Sequence, residues 1–292
     1  MATRSSALSR RLREYVLLTR LNRPIGTLLL LWPTLWALWI GSGGIPDPLL
    51  LVVFVLGTLL TRSAGCIIND FADRNFDPHV ARTRERPLAA RRISPYEAIA
   101  LFVVLMLLAL ALVLQLDTNT VLLSFVAAGL LATYPLFKRF FPAPQVYLGL
   151  AFGWAAPMAF MATRGTVPLV GWLILLAAVI WACIYDTFYA MVDREDDRRI
   201  GIKSTALLFG RHDLRAIGLL QVAMIAVLLW IGVVAELGSI YDLSVACAAG
   251  LFVRQTWSSR HRDREACFRA FLDNHYVGMA LFVGIALATA QR

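Results

Sequence analysis

Charge is what this chain has least of. Asp, Glu, Lys and Arg together fill 16% of 292 positions, against 59% hydrophobic residues. Soluble domains carry roughly a quarter of their residues charged, so this ratio excludes one or two soluble domains and describes a polytopic membrane protein. Cysteine is sparse too: Cys66, Cys183, Cys247 and Cys267 have no metal-ligand spacing, and three of them stand inside apolar runs, which makes them small core residues. The four histidines share no ligand spacing and read as loop or interfacial residues. No short apolar stretch with a small-residue cleavage site precedes the first long apolar run, so no removable signal peptide is expected. The formal charge of +9 would suit nucleic acid, but in a membrane chain the placement of the charges decides.

What is present is a series of apolar runs near the roughly 20 residues that a bilayer crossing takes. Nine spans are expected in a single domain covering 1–292: 25–40, 49–68, 97–114, 121–137, 146–162, 169–190, 217–235, 241–253 and 271–290. The eighth is the shortest. Residues 1–24 interleave six arginines with Leu12, Tyr15, Val16, Leu18 and Leu21, an amphipathic segment that would lie on the membrane surface and end near Pro24. Of the 28 basic residues, all but Arg62, Arg164 and Arg292 fall in that segment or in the stretches after spans two, four, six and eight. The positive-inside rule then puts the N-terminus in the cytoplasm, accounts for the basic excess and requires no nucleic-acid partner.

Two polar stretches break the apolar pattern, both on the expected cytoplasmic side. In the first, Asn69-Asp-Phe-Ala-Asp-Arg-Asn-Phe-Asp77, continued helical periodicity stacks Asn69, Asp73 and Asp77 at i, i+4 and i+8 on one face. Like charges so arranged repel, more strongly near lipid, and call for a cation. Oxygen-only ligands in a small cluster suit magnesium, which keeps sites for water and substrate phosphates. The second stretch repeats the pattern with Asp193 and Asp197, with Asp186 and Tyr189 one or two turns nearer the membrane. Two such clusters about 120 residues apart suggest related halves facing across one cavity. They can share a diphosphate through magnesium, which would neutralise a departing diphosphate.

Lys138, Arg139, Arg198, Arg199 and Lys203 are available to hold further phosphate charge; each also serves the orientation signal, and the Gly201-Ile-Lys-Ser-Thr205 turn favours Lys203 for function. Arg62 lies inside span two, seven residues before Asn69. A cation there costs on the order of 3 kcal/mol unless paired or hydrated, so it should face the cavity and pair with a carboxylate of the protein or of a substrate. Tyr134, Tyr147, Tyr185 and Tyr189 offer ring faces to an allylic cation, or serve as membrane-core residues.

The two acidic stretches, together with Arg82-Thr-Arg-Glu-Arg-Pro-Leu88, Tyr185-Asp-Thr-Phe-Tyr-Ala-Met-Val-Asp193, Gly201-Ile-Lys-Ser-Thr205 and Leu21-Asn-Arg-Pro-Ile-Gly26 leading into Leu31-Trp-Pro-Thr-Leu-Trp36, closely resemble the UbiA superfamily of intramembrane aromatic prenyltransferases. The resemblance spans nearly the whole chain. It implies an all-α bundle of nine transmembrane helices around a central cavity, and magnesium (Mg2+) held by Asn69, Asp73, Asp77, Asp193 and Asp197 on a polyprenyl diphosphate. It further implies a role for Arg139 after the fourth helix, and 4-hydroxybenzoate as the acceptor, in ubiquinone biosynthesis in the bacterial inner membrane. Asp73, Asp193, Arg139 and Lys203 are then the catalytic set, and Arg62, Asn69, Lys138 and Tyr189 contact substrate. Another aromatic acceptor, and an ion transporter with the same acidic clusters, are the competing readings; transport would favour ionisable residues and broken helices at mid-bilayer.

Overall fold

The computed structural model describes residues 2–79 and 83–291, without the side chains of residues 2–8, 79, 138 and 200. Among the described residues every regular element is helical: α1 (Ala2–Leu18), α2 (Ile25–Ser42), α3 (Pro48–Asp73), α4 (Pro95–Val113), α5 (Thr118–Phe140), α6 (Pro144–Gly153), α7 (Ala155–Arg164), α8 (Leu169–Ile200), α9 (Thr205–Phe209), α10 (Asp213–Val234), α11 (Gly238–Ser258) and α12 (Arg264–Ala290). Local chemistry sets several of the starts. Asp47, Ser94 and Asp117 accept backbone N–H groups at the heads of α3, α4 and α5, and Pro48 and Pro95 stand in the first turn, where a missing N–H is harmless.

Among the described residues eight helices or helical stretches, rather than nine, are long and apolar enough to cross a membrane. The chain is thus a multi-pass membrane protein. The expected eighth span is α11, a full 21 residues, but Asp242, Ser244, Arg254 and Gln255 dilute its apolar character. It packs along α12 and α10. The expected fifth span is two half-helices, α6 and α7, that meet at Trp154. Pro157 supplies the reason, since it removes the N–H that would bond the Gly153 carbonyl, and its ring crowds that same group.

The bundle core lies between α2, α8, α10, α11 and α12, where Trp36, Trp181, Phe188, Tyr241 and Phe252 are buried. Two of its buried indoles are satisfied: the Trp181 N–H donates to Asn274 Oδ1 at 2.9 Å, and that of Trp36 to the Gly278 carbonyl at 3.1 Å. The N-terminal amphipathic segment is helical, as its spacing predicts, but it is docked rather than free-lying. Leu18 is fully buried with Ile67, Leu88, Ile93 and Ala98, Tyr15 Oη donates to Glu97, and Arg92 pairs with Glu14 at 2.9 Å. Leu12, Val16 and Leu21 on its remaining flank stay exposed, free to meet lipid.

Candidate active site between the two acidic helices

A cavity of about 940 Å³ opens between α3 and α8, with α2, α4, α5, α6 and α7 completing its wall. Along α3 the lining residues recur at helical spacing: Val53, Phe54, Gly57, Thr58, Thr61, Arg62, Gly65, Cys66, Asn69 and Asp73. That stripe runs from Val53 to Asp73, or about 30 Å at 1.5 Å per residue. It is largely apolar for its first half, with Thr58 and Thr61 its polar members there, and carries charge only from Arg62 on. Lining residues from α4, α5 and α7, among them Leu107, Val113, Phe125 and Met158, continue the apolar part.

Asn69, Asp73, Asp77, Asp193 and Asp197 all line this cavity, so the fold joins the two acidic stretches as expected. Asp77, however, does not extend the helical stack. The last helical residue of α3 is Asp73, the Phe76 N–H turns back onto the Asp73 carbonyl at 2.8 Å, and Asp77 sits in a separate 3-10 turn. Pro78 explains the break by disfavouring helical geometry at the residue before it. The second stretch does keep one face. α8 runs unbroken for 32 residues, so Asp186, Tyr189, Asp193 and Asp197 stand at i, i+3, i+7 and i+11 down the same wall. Gly201 ends it in the left-handed conformation, φ +74°, and its turn leads into Lys203 and Ser204 on the cavity lining.

Charge at the polar end is heavily cross-linked. Arg86 Nη1 donates to Asp77 Oδ2 at 2.9 Å and to Asp70 Oδ1 at 3.1 Å, and Arg20 Nη2 reaches the same Asp70 oxygen at 2.5 Å. Asp70 is 1% exposed, and its second carboxylate oxygen has no partner among the described residues. Burial pushes the Asp77 carboxyl above the usual carboxylate range; Arg86 opposes this, and the negative charges of Asp70 and Asp73 push it further up. Sequence reasoning missed Asp70, Arg20 and Arg86 as one network, because nothing in a linear pattern pairs residues 50 and 16 positions apart. Asp186 was visible as part of the α8 periodicity. Its partner Gln145 was not: Gln145 Nε2 donates to Asp186 Oδ2 at 3.1 Å, and its carbonyl accepts the Thr205 N–H at 3.1 Å, tying α6 to the turn that carries Lys203.

The remaining expected residues divide. Arg62, Lys203 and Tyr189 line the cavity, as do Tyr134 and Tyr185. Arg139 is not among the lining residues; its guanidinium caps the Ala72 carbonyl at 2.9 Å and lies 5.5 Å from the Phe76 ring. Tyr147 also lies outside, stacked on Phe137 at 3.7 Å. Arg198 and Arg199 are exposed and off the lining. The side chain of Lys138 lies outside the described residues. Arg62 forms no ion pair among the described residues; its Nη1 points at Cys66 Sγ, 2.8 Å away.

The donors of the two acidic clusters on the lining are all oxygen, suited to a hard divalent cation. No three His, Cys, Asp or Glu side chains among the described residues converge on one point, so a cation here takes part of its shell from its ligand or from water. Ser204 Oγ, buried beside Lys203 with no partner among the described residues, is a donor left for such a ligand.

A helical membrane bundle with opposed acidic clusters over a deep apolar cavity defines an intramembrane enzyme class that handles charged head groups on hydrocarbon chains. The chain belongs to the UbiA prenyltransferase family, whose model matches residues 30–284. It is 58% identical to a 4-hydroxybenzoate octaprenyltransferase from Alkalilimnicola ehrlichii over 94% of both chains. It is 55% identical to one from Xanthomonas euvesicatoria pv. vesicatoria over 100% of this chain and 97% of that one. Its fold resembles an apo UbiA homolog from Aeropyrum pernix K1, with a TM-score of 0.79 at 25% identity over 89% of this chain and 97% of that chain. A UbiA homolog from Archaeoglobus fulgidus bound to GPP and Mg2+ has a TM-score of 0.69 at 20% identity, covering 96% and 100%.

Proposed function

We propose that this chain transfers a polyprenyl group from its diphosphate to the ring carbon ortho to the hydroxyl of 4-hydroxybenzoate, a step of ubiquinone synthesis in the bacterial inner membrane. The observation that carries it is one cavity lined by both acidic clusters, whose wall becomes largely apolar away from them. The names of relatives at 54–58% identity supply the acceptor and the class of donor. The N-terminus and acidic clusters face the cytoplasm in this reading, which follows from the placement of the basic residues.

Asn69, Asp73, Asp77, Asp193 and Asp197 would hold Mg2+, which when bound supplies the positive charge that stabilises the departing diphosphate. Lys203 and the Ser204 hydroxyl add donors to phosphate oxygens from the opposite wall. Loss of the allylic C–O bonding pair to diphosphate leaves a cation, the electron-rich ring forms the new C–C bond, and the ring proton departs. Tyr134, Tyr185 and Tyr189 line the cavity where their rings can face that cation, and the apolar wall keeps bulk water from it. Arg62 receives the acceptor carboxylate, having no counter-ion of its own among the described residues. Ion transport fits less well: the mid-span break at Trp154 carries no ionisable side chain within its turn, and the acids gather at one end of the cavity.

Membranes containing the protein, given labelled polyprenyl diphosphate and 4-hydroxybenzoate, should yield lipid-soluble prenylated hydroxybenzoate. The product should vanish with a magnesium chelator and in Asp193→Ala. Product only with another phenol would replace the acceptor, and no diphosphate release with any acceptor would overturn the reading.

A further inference from the structure

Gly26 occupies the second residue of α2, buried, at a position whose backbone does not require glycine: its φ is not in the left-handed region. Alanine is the better helix former there, so a packing reason is needed. A Cβ on Gly26 would stand 2.3 Å from Arg62 Nη2, 2.5 Å from Nε and 2.8 Å from Cζ. All three atoms belong to one guanidinium and none to backbone. What the missing side chain makes room for first is therefore the Arg62 head group.

That notch holds the cation from one side. Cys66 Sγ lies at 2.8 Å from Nη1, and the Phe152 ring centroid is 5.9 Å from Cζ. Sulfur is a weak acceptor and a ring face a weak partner, so these contacts orient the guanidinium without neutralising it. Two turns of α3 separate Arg62 from Asn69, so the depth at which the guanidinium sits fixes its separation from the acidic end of the cavity.

We propose that Gly26 is a specificity determinant, a notch that seats the Arg62 guanidinium against α2 and so selects acceptors whose carboxylate is attached directly to the ring, meta to the reacting carbon. This rests on the reading that Arg62 takes the acceptor carboxylate. Gly26 acts through Arg62 and is a positioning residue. A methyl group there pushes the flexible head group into the cavity, shortening the space for the acceptor while leaving both acidic clusters untouched.

The test compares wild type, Gly26→Ala, Gly26→Ser, Arg62→Ala and the Gly26→Ala/Arg62→Ala double variant in membranes, with 4-hydroxybenzoate, 4-hydroxyphenylacetate and an uncharged 4-hydroxybenzamide. Gly26→Ala should raise KM for 4-hydroxybenzoate about tenfold, change KM for polyprenyl diphosphate less than twofold and narrow the preference for the carboxylate over the amide. In the Arg62→Ala background the glycine change should have no further effect. Unchanged KM for the donor certifies that each variant is folded, and Gly26→Ser should repeat the result. Arg62→Ala with a wild-type KM for the acceptor would sink the carboxylate reading itself. A raised KM in Arg62→Ala with a wild-type value in both glycine variants, or additive effects in the double variant, would overturn the notch alone.

Discussion

Asp70 and Asp73 are three residues apart on α3 and both buried, yet their substitution should have different consequences. Asp70 is off the cavity lining and carries two arginines, while Asp73 is on the lining among other carboxylates. Asp70→Asn keeps the shape and removes the charge that Arg20 and Arg86 share. Breaking a buried pair by removing one partner costs about 3–5 kcal/mol. Here the lower end applies, about 3 kcal/mol, because Arg20 and Arg86 are 25% and 15% exposed and Arg86 keeps Asp77. Asp73→Asn instead removes a charge that repels Asp77, so it should cost less stability than Asp70→Asn while lowering kcat by about 10²-fold or more, a loss of about 3 kcal/mol of transition-state stabilisation. Thermal unfolding of the detergent-solubilised protein, run beside the prenyl-transfer assay at saturating substrates, separates the two. Asp70→Asn with the wild-type melting temperature, or Asp73→Asn destabilised as much as Asp70→Asn, would refute this division of labour.

Two further outcomes follow from buried and capping carboxylates. Asp213 is fully buried and binds Arg194, beside Asp193, and Arg262 from the α11–α12 turn at 2.8 Å; Asp213→Asn should lower stability by about 2–3 kcal/mol, since Arg262 is 39% exposed, and raise the magnesium concentration needed for half-activity, which a titration measures. Asp117→Ala should cost about 1 kcal/mol by removing the cap of α5. Burial alone would raise the Asp117 pKa, but hydrogen bonds from Thr120 outweigh it and hold the carboxyl below the usual range. A depressed folded value means the cap stabilises above the ordinary carboxylate pKa of about 4 and fades as pH falls through the lower folded value. Melting curves at pH 7 and pH 3 should therefore differ between wild type and Asp117→Ala at the higher pH more than at the lower.

The sequence by itself determined the class of structure and where its chemistry gathers. Run length and hydropathy are local properties, so they found the spans; helical period is local too, and it put Asp186, Tyr189, Asp193 and Asp197 on one face of α8 before any contact was known. The same period failed at Asp77, where Pro78 overrides it, and across 146–162, where Pro157 splits the helix. Tertiary structure alone decided which charges meet. Arg86 and Arg20 converge on Asp70, Gln145 braces the Lys203 turn, Arg139 caps the Ala72 carbonyl, and Gly26 yields its space to Arg62. Those pairings depend on how helices far apart in the chain dock against one another, and a burial pattern records only that a face is covered, without naming the atom that covers it.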